Sequence, residues 1–282
     1  MIDKMKISIV IPTWNSMPEF EICIKWIKRS IPKEYLGEII VVDKYSTDDT
    51  IEIAKKYECK VIFDDVSLGS ARMKGIQTAE SDLIMFIDSD IQISPRWFSE
   101  MIAKWRLLDN LYDGKLGMLY GRTIDPDRKV GKLKLWKMHR EFCKGEWRAI
   151  EKGMRAFTNN TIVKKKLIED IDISNINAWE DYIITQHILN KGYKVVEVPV
   201  PCIHWHSTFS KFGFRKVGWC VSGMFQVAGV NLYTMGYMMY HLLEGIRSTI
   251  HFKDLFYLKW GLAHWMDGIK GLWKHNWKRE NN

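Results

Sequence analysis

Along the first ninety positions the hydrophobic residues fall into short runs separated by stretches of helical period. Ile7 to Ile11 is one run, stopped by Pro12; Glu38 to Val42 is a second, ending at Asp43; Lys60 to Phe63 and Leu83 to Ile87 are the third and fourth. Leu83-Ile84-Met85-Phe86-Ile87 shows no alternation at all, the mark of a strand buried on both faces in a parallel sheet. Between the runs, Phe20, Cys23, Ile24 and Ile27 predict a helix over Pro18–Arg29, and Gly69–Ala79 predicts another. A further helix follows Ser46 or Thr47, either of which is a suitable cap, with Asp48 and Asp49 at the positive end of its dipole. Strand and helix alternating in this way imply an α/β fold with a mostly parallel sheet and right-handed crossovers.

Further on the rhythm changes. Pro95–Leu108 predicts a helix with proline where its missing N–H costs little. Gly117–Gly121 predicts a strand, Trp179–Asn190 a helix ended by Gly192, and Lys194–Val198 another strand. From Val217 to Leu243 no Asp, Glu, Lys or Arg occurs, a stretch long enough to cross a bilayer, although Gln226, Asn231, Thr234 and several glycines dilute it. The segment Phe252–Trp277 then mixes Trp260, Trp265, Trp273 and Trp277 with Lys259, Lys270, Lys274 and Lys278, the composition of a helix lying in a membrane interface.

Charge and cysteine content narrow the setting. The chain of 282 residues carries a net charge of +8, concentrated between Arg122 and Lys166. No nucleic-acid recognition motif accompanies that charge, which leaves an anionic membrane surface or a phosphorylated substrate as the partner. The 5 cysteines show neither metal-ligand spacing nor a disulfide framework, which fits a reducing cytosolic compartment. The N-terminus lacks the long apolar core of a signal peptide.

Candidate chemistry gathers where runs end. Asp88 and Asp90, separated by Ser89, follow the fourth strand, and ligands of such sheets sit at the carboxyl ends of strands. Two carboxylates so spaced suit a hard divalent cation bridging to substrate phosphates; a solvated turn is the alternative, which placement after an all-apolar strand disfavours. Trp14 can pack in the core or face a ligand. Arg72 can be a surface helix charge or a partner of phosphate oxygens. Glu180 and Asp181 suit a helix N-terminus as well as proton transfer. His204 and His206 lie on one side of an extended stretch, as ligands or as structural histidines.

The segments ISIVIPTWN (7–15), EIIVVDKYSTDDT (38–50), LGSARMKGIQTA (68–79), LIMFIDSDIQ (83–92) and WEDYIITQHILNKGYKVVEVP (179–199) resemble, in order, the motifs of the inverting GT-A glycosyltransferases of family 2. The resemblance covers residues 5–206. It implies a GT-A catalytic domain over 1–208 and a donor site for a UDP- or GDP-sugar built from Pro12, Thr13, Trp14, Asn15, Asp43, Arg72, Asp88 and Ser89. It further implies Mn²⁺ or Mg²⁺ held by Asp88 and Asp90 with His204 or His206, and Asp181 as catalytic base beside Glu180. The family pattern often has a second acid where this chain has Lys44 and an asparagine where it has Met73.

Residues 209–282 are expected to form a helical, membrane-associated segment, lying in the plane, spanning, or buried in a core. With them comes the expectation of a peripheral or monotopic enzyme on the cytoplasmic face of the cell membrane, with Lys211, Arg215, Lys216 and Arg279 facing headgroups. The expected reaction is transfer to a hydroxyl of a lipid-linked or membrane-proximal glycan. Transfer to polyprenyl phosphate is the alternative, since Gln92 after the acids resembles dolichyl-phosphate sugar synthases. An inactive membrane-bound scaffold is a third reading, and the absence of a glycine-rich phosphate loop argues against a nucleotidyltransferase.

Overall fold

The computed structural model describes residues 5–124, 145–205, 223–253, 255, 257–259, 261–266 and 268–270. His206, Lys211, Arg215, Lys216, Trp260, Trp273, Lys274, Trp277, Lys278 and Arg279, and the basic stretch 128–144, lie outside them. The chain divides into two compact units, Met1–Asn175 with Asp181–His206, and Ile176–Glu180 with Ser207–Asn282.

In the first unit, strands β1 (Ile7–Thr13), β2 (Leu36–Asp43), β3 (Lys60–Phe63) and β4 (Leu83–Ile87) are parallel, in the order β3-β2-β1-β4. Helices α1 (Glu19–Ser30), α2 (Thr50–Lys56) and α3 (Leu68–Thr78) make the crossovers. All five residues of β4 are buried, as its unbroken apolar run requires. The order reverses between β1 and β4, the switch point at whose carboxyl ends ligands of such sheets sit, and Thr13, Asp43 and Asp88 stand at those ends.

Beyond β4 the sheet is mixed rather than parallel. After β5 (Ile91–Gln92), α4 (Pro95–Leu111), β6 (Leu116–Ile124) and β7 (Arg148–Ala149), strand β8 (Asn160–Lys164) inserts between β4 and β6, antiparallel to both. Helix α5 (Glu180–Asn190) leads into β9 (Lys194–His204), which runs parallel to β6 and antiparallel to β5 and β7. The predicted strand Lys194–Val198 is thus longer than expected, and its alternating burial reflects one covered face.

Two local features position the chemistry. Helix α3 is capped by Ser67, whose hydroxyl accepts from Ser70 N–H at 2.9 Å and donates to the Ser174 carbonyl at 2.6 Å. The helix lies flush on β1, because a Cβ on Gly75 would come within 2.3 Å of Val10 Cγ1. Neither Ser46 nor Thr47 caps α2. Its first residue follows Asp49, Thr50 N–H is held by Asp48 Oδ1 at 3.1 Å, and Ser46 and Thr47 bind other loop groups.

In the second unit, residues 223–228 are helical and a break at 229–231 precedes α6 (Leu232–Phe252). Asn231 caps α6 in a reciprocal capping box with Thr234. Among the described residues no helix is long and apolar enough to cross a membrane. Within the described part of the uncharged stretch, 223–243, the helix is interrupted at Gly229–Asn231, where Asn231 caps α6. Helical residues 257–259, 261–266 and 268–270 return antiparallel to α6, with His264 stacked on His241 at 4.6 Å and Gly261 beside Gly245.

Candidate active site

The rim at the carboxyl ends of β1 and β2 is two loops tied together by hydroxyls and amides. Asp43 is fully buried at the end of β2. Its Oδ1 accepts from Ser46 N–H at 2.7 Å, and its Oδ2 accepts from the hydroxyls of Thr13 and Ser46 at 2.7 and 2.6 Å. Asp43 therefore braces the loops from beneath. Asn15 and Tyr45, both with φ near +50° (45° and 52°), turn those loops back toward one another. Asn15 N–H donates to the Ser46 hydroxyl at 2.7 Å, and Asn15 Oδ1 accepts from Thr47 N–H at 2.8 Å. Pro12 is half-buried within β1.

On this rigid rim Trp14 stands 61% exposed, which removes the core-packing reading. The Lys44 ammonium lies 5.6 Å from its ring centroid, and Tyr45, also exposed, stacks on Phe63 at 5.0 Å. Burying apolar surface is favourable, so two wide aromatic faces held in water by a stiff backbone form a platform for a flat ring.

Arg72 is 2% exposed, and the surface-charge reading falls with that. Its Nη2 donates to Asp88 Oδ1 at 2.9 Å, and its guanidinium lies 5.2 Å over the Phe86 ring. The neighbouring Met73 has a packing role, since its sulfur accepts from Ile173 N–H at 3.2 Å. The turn carrying the two acids is fixed at several points. Asp88 N–H donates to the Asn159 carbonyl at 3.1 Å, Ser89 Oγ meets Ser16 Oγ at 3.1 Å, and Trp205 N–H donates to the Asp90 carbonyl at 2.8 Å. Gln92 Oε1 accepts the Trp205 indole N–H at 2.9 Å, so this residue braces the turn. Beneath the turn the buried Cys23 thiol is pushed well above its ordinary pKa by burial and by Asp90 and Asp88.

His204, at the end of β9, brings Nε2 to 3.2 Å from Asp90 Oδ1. Asp88 Oδ1 is engaged by Arg72, and Asp90 and His204, whose side chains meet each other, bring an oxygen and a nitrogen group beside it. Among the described residues no three His, Cys, Asp or Glu side chains converge as a metal cage. A two-donor set nonetheless fits Mn²⁺ or Mg²⁺, which complete their shells with water and substrate phosphate oxygens.

Glu180 and Asp181 open α5, and both are buried. Trp179, just before them, has φ 70° and packs edge-on against Tyr237 at 5.5 Å. The Asp181 carboxylate is gripped by Arg155, Nε to Oδ1 at 2.7 Å and Nη2 to Oδ2 at 2.9 Å. Tyr182 N–H adds a bond to Oδ1 at 2.8 Å, so Oδ1 accepts two hydrogen bonds and Oδ2 accepts that of Arg155. Arg155 is itself held. Ala156 N–H donates to Thr185 Oγ1 at 3.2 Å, Gln186 spans Gly153 and Met154, and the guanidinium sits 5.1 Å over Phe157. Arg155 was visible in the sequence only as one member of a basic stretch. Its signal was position, a lone arginine just before the apolar strand that pairs with β4.

A sheet whose switch point carries exposed aromatics, a buried arginine and two carboxylates at the carboxyl ends of its strands has the layout of the GT-A fold. The chain belongs to glycosyl transferase family 2, whose model matches residues 8–168. It is 30% identical over 214 residues to a dolichol-phosphate mannosyltransferase of Pyrococcus furiosus, covering 69% of this chain and 56% of that protein. A poly(ribitol-phosphate) beta-glucosyltransferase of Bacillus spizizenii is 37% identical over 128 residues, 42% of this chain and 19% of its own. The chain thus spans about half, or less, of the curated relatives it matches. Among solved structures, the S. aureus TarS fragment 1–349 superposes with a TM-score of 0.54 at 19% identity, covering 78% of this chain and 66% of that one. Glucosyl-3-phosphoglycerate synthase from Mycobacterium tuberculosis, solved with Mn²⁺, UDP and glucosyl-3-phosphoglycerate, gives 0.53 at 16% identity, covering 80% and 81%.

Proposed function

We propose that the protein transfers a sugar, with inversion, from a nucleotide-diphosphate donor to a hydroxyl of a lipid-linked or membrane-proximal glycan. The observation that carries this reading is the buried Asp181 carboxylate, held in one orientation by Arg155 and Tyr182 with fewer bonds to Oδ2 than to Oδ1. An acceptor hydroxyl gives its proton to Oδ2 as its oxygen bonds to the anomeric carbon. The bond from that carbon to the diphosphate breaks on the opposite face, and its electron pair stays on the leaving oxygen.

The nucleobase stacks on Trp14, while Lys44 and Tyr45 line the same rim. Arg72, aligned by Asp88, faces the diphosphate. Asp90 and His204 would hold Mn²⁺ or Mg²⁺, which supplies positive charge to the leaving diphosphate. The Mn²⁺ and UDP bound to the mycobacterial synthase support a uridine nucleotide and a divalent ion here.

Transfer to polyprenyl phosphate is the second reading, favoured by the name of the Pyrococcus relative. Such an acceptor is already ionised and needs no base. Calorimetric titration with UDP-, GDP- and dTDP-sugars, with and without Mn²⁺, tests the donor. Metal-dependent binding of one nucleotide, lost in Asp90→Ala, is the expected result, and no binding of any would overturn the reading. Asp181→Asn then separates the acceptors, because a phosphate acceptor would still be glycosylated by that variant.

A further inference from the structure

Helix α6 has its polarity reversed with respect to water. Leu232, Met235, Met239, Leu243, Ile246 and Ile250 are all exposed, Leu232 at 94% and Ile250 at 72%. At 3.6 residues per turn these six fall within a sector about 80° wide, running about 27 Å along the helix. Ordinary surface helices place that stripe inward, whereas the inward side here is filled by Thr234, Met238, His241 and Gly245.

The returning helical residues repeat the arrangement. Leu262, Met266 and Ile269 are exposed in a sector about 60° wide, while Gly261, His264 and Gly268 face α6. A Cβ on Gly245 would come within 2.8 Å of Gly261 Cα, so the two helices touch closely and cannot tuck these stripes between them. The helical phase settles where the stripes point. Each lies roughly 130° from its own contact line, measured in the direction of increasing residue number. For antiparallel partners the same rotation carries both stripes to the same side of the pair. The hairpin therefore presents one broad apolar face.

The charged residues follow the edges of that face. By the same phase, Arg247 lies just outside the stripe of α6, and Lys259 and Lys270 lie just outside the stripe of the returning helix, on the opposite margin. All three are exposed. Glu244, on the far side of α6, faces Arg247 and Ser248 at 3.5 and 3.3 Å. A second copy of an apolar face would not call for cations along both margins. Anionic lipid headgroups around a shallowly buried apolar strip would.

We propose that this hairpin face is a docking surface for an anionic lipid monolayer, lying in its plane with Met239, Leu243, Ile246, Leu262 and Met266 among the acyl chains. The inference is independent of the transferase reading.

Co-sedimentation of the full chain with vesicles of phosphatidylcholine, with or without 30% phosphatidylglycerol, tests it. Binding to the anionic vesicles is expected, weakened tenfold or more in Leu243→Asp/Ile246→Asp and weakened by high salt. Lys259→Glu/Lys270→Glu should lose the preference for phosphatidylglycerol while keeping the same melting curve. Met239→Ser/Leu262→Ser, a milder pair, should bind less with unchanged circular dichroism. Absence of wild-type binding, or binding unchanged in all three variants, would overturn the proposal. So would a wild-type dimer in sedimentation velocity that Leu243→Asp/Ile246→Asp dissociates, since the face would then meet a second copy. Nucleotide titration of the same samples reads the transferase proposal separately.

Discussion

Asp88 aside, which Arg72 holds, the two halves of the sheet hold their carboxylates by different means. In the parallel half, Asp43, Asp48 and Asp64 are satisfied chiefly by hydroxyls and backbone N–H groups from Thr13, Ser46, Thr50, Ser70, Met17 and Val66. In the mixed half, Asp181 is gripped by Arg155, and Glu197 by Arg122 and Arg148 at 2.9 and 2.6 Å. Hydroxyl braces tie loops together and leave the negative charge in place. Arginine forks fix orientation and cancel charge. The first arrangement suits a rim that must be stiff, and the second suits a single oxygen that must point one way.

The sharpest break of this contrast is Asp181→Asn, which removes the charge of the carboxylate while keeping its shape. Transfer to a hydroxyl should fall by about 10²- to 10⁴-fold in a steady-state assay, with nucleotide binding within about twofold of the parent. Equal loss of nucleotide binding would mean that the halves are not separable. Arg155→Met comes next. It strands a nearly buried carboxylate, and denaturant unfolding should show a loss of about 3 kcal/mol. Asp43→Asn, which puts a donor where one oxygen accepts from Ser46 or Thr13, should cost about 1–2 kcal/mol by the same measurement.

Trp14→Ala sharpens the comparison from the ligand side. Because the indole is exposed, melting should be unchanged, while nucleotide affinity should fall by about 1–3 kcal/mol in calorimetry. The smallest effect is in pH. Burial tends to raise the pKa of Asp48 and Asp64, but bonds from Thr50 and Met17, and from Ser70, Val66 and Lys74, outweigh it and hold both below 3.8. Their contribution is present above pH 3.8 and is lost as pH falls through their lower folded values. His241 behaves differently, because burial and then His264 lower its pKa from 6.5 to about 4. The unfolded chain binds the extra proton between those values, so the helical hairpin should begin to lose stability below pH 6.5. Hydrogen exchange across pH 7 to 4 should show its amides losing protection before those of β1, β2 and β4.

Sequence reading was strongest where structure is local. The unbroken apolar run of β4 announced both its burial and the place of Asp88 and Asp90, since a buried strand cannot hold unpaired charge within itself. The capped starts of α3 and α4, at Ser67 and Ser94, follow equally short-range rules. Pairings across long separations were not legible. Asp43 meets Thr13 from 30 residues away, and Arg155 meets Asp181 from 26. The antiparallel entry of β8 between β4 and β6 was hidden for the same reason, because its Asn160–Lys164 run is as short as a turn-bounded loop segment. Hydrophobic pattern also said that the C-terminal segment was apolar, but only the capping box at Asn231 and the close glycines showed how it folds back.

The missing side chain at Gly75 reaches further than its own contact. It lets α3 rest directly on β1, and Arg72 lies one turn earlier on that helix, aimed at Asp88. A single methyl there would act as a shim, lifting the helix and withdrawing a positive charge from Asp88. The reach of the arginine is thus set by an atom that is absent, on a residue that touches no ligand.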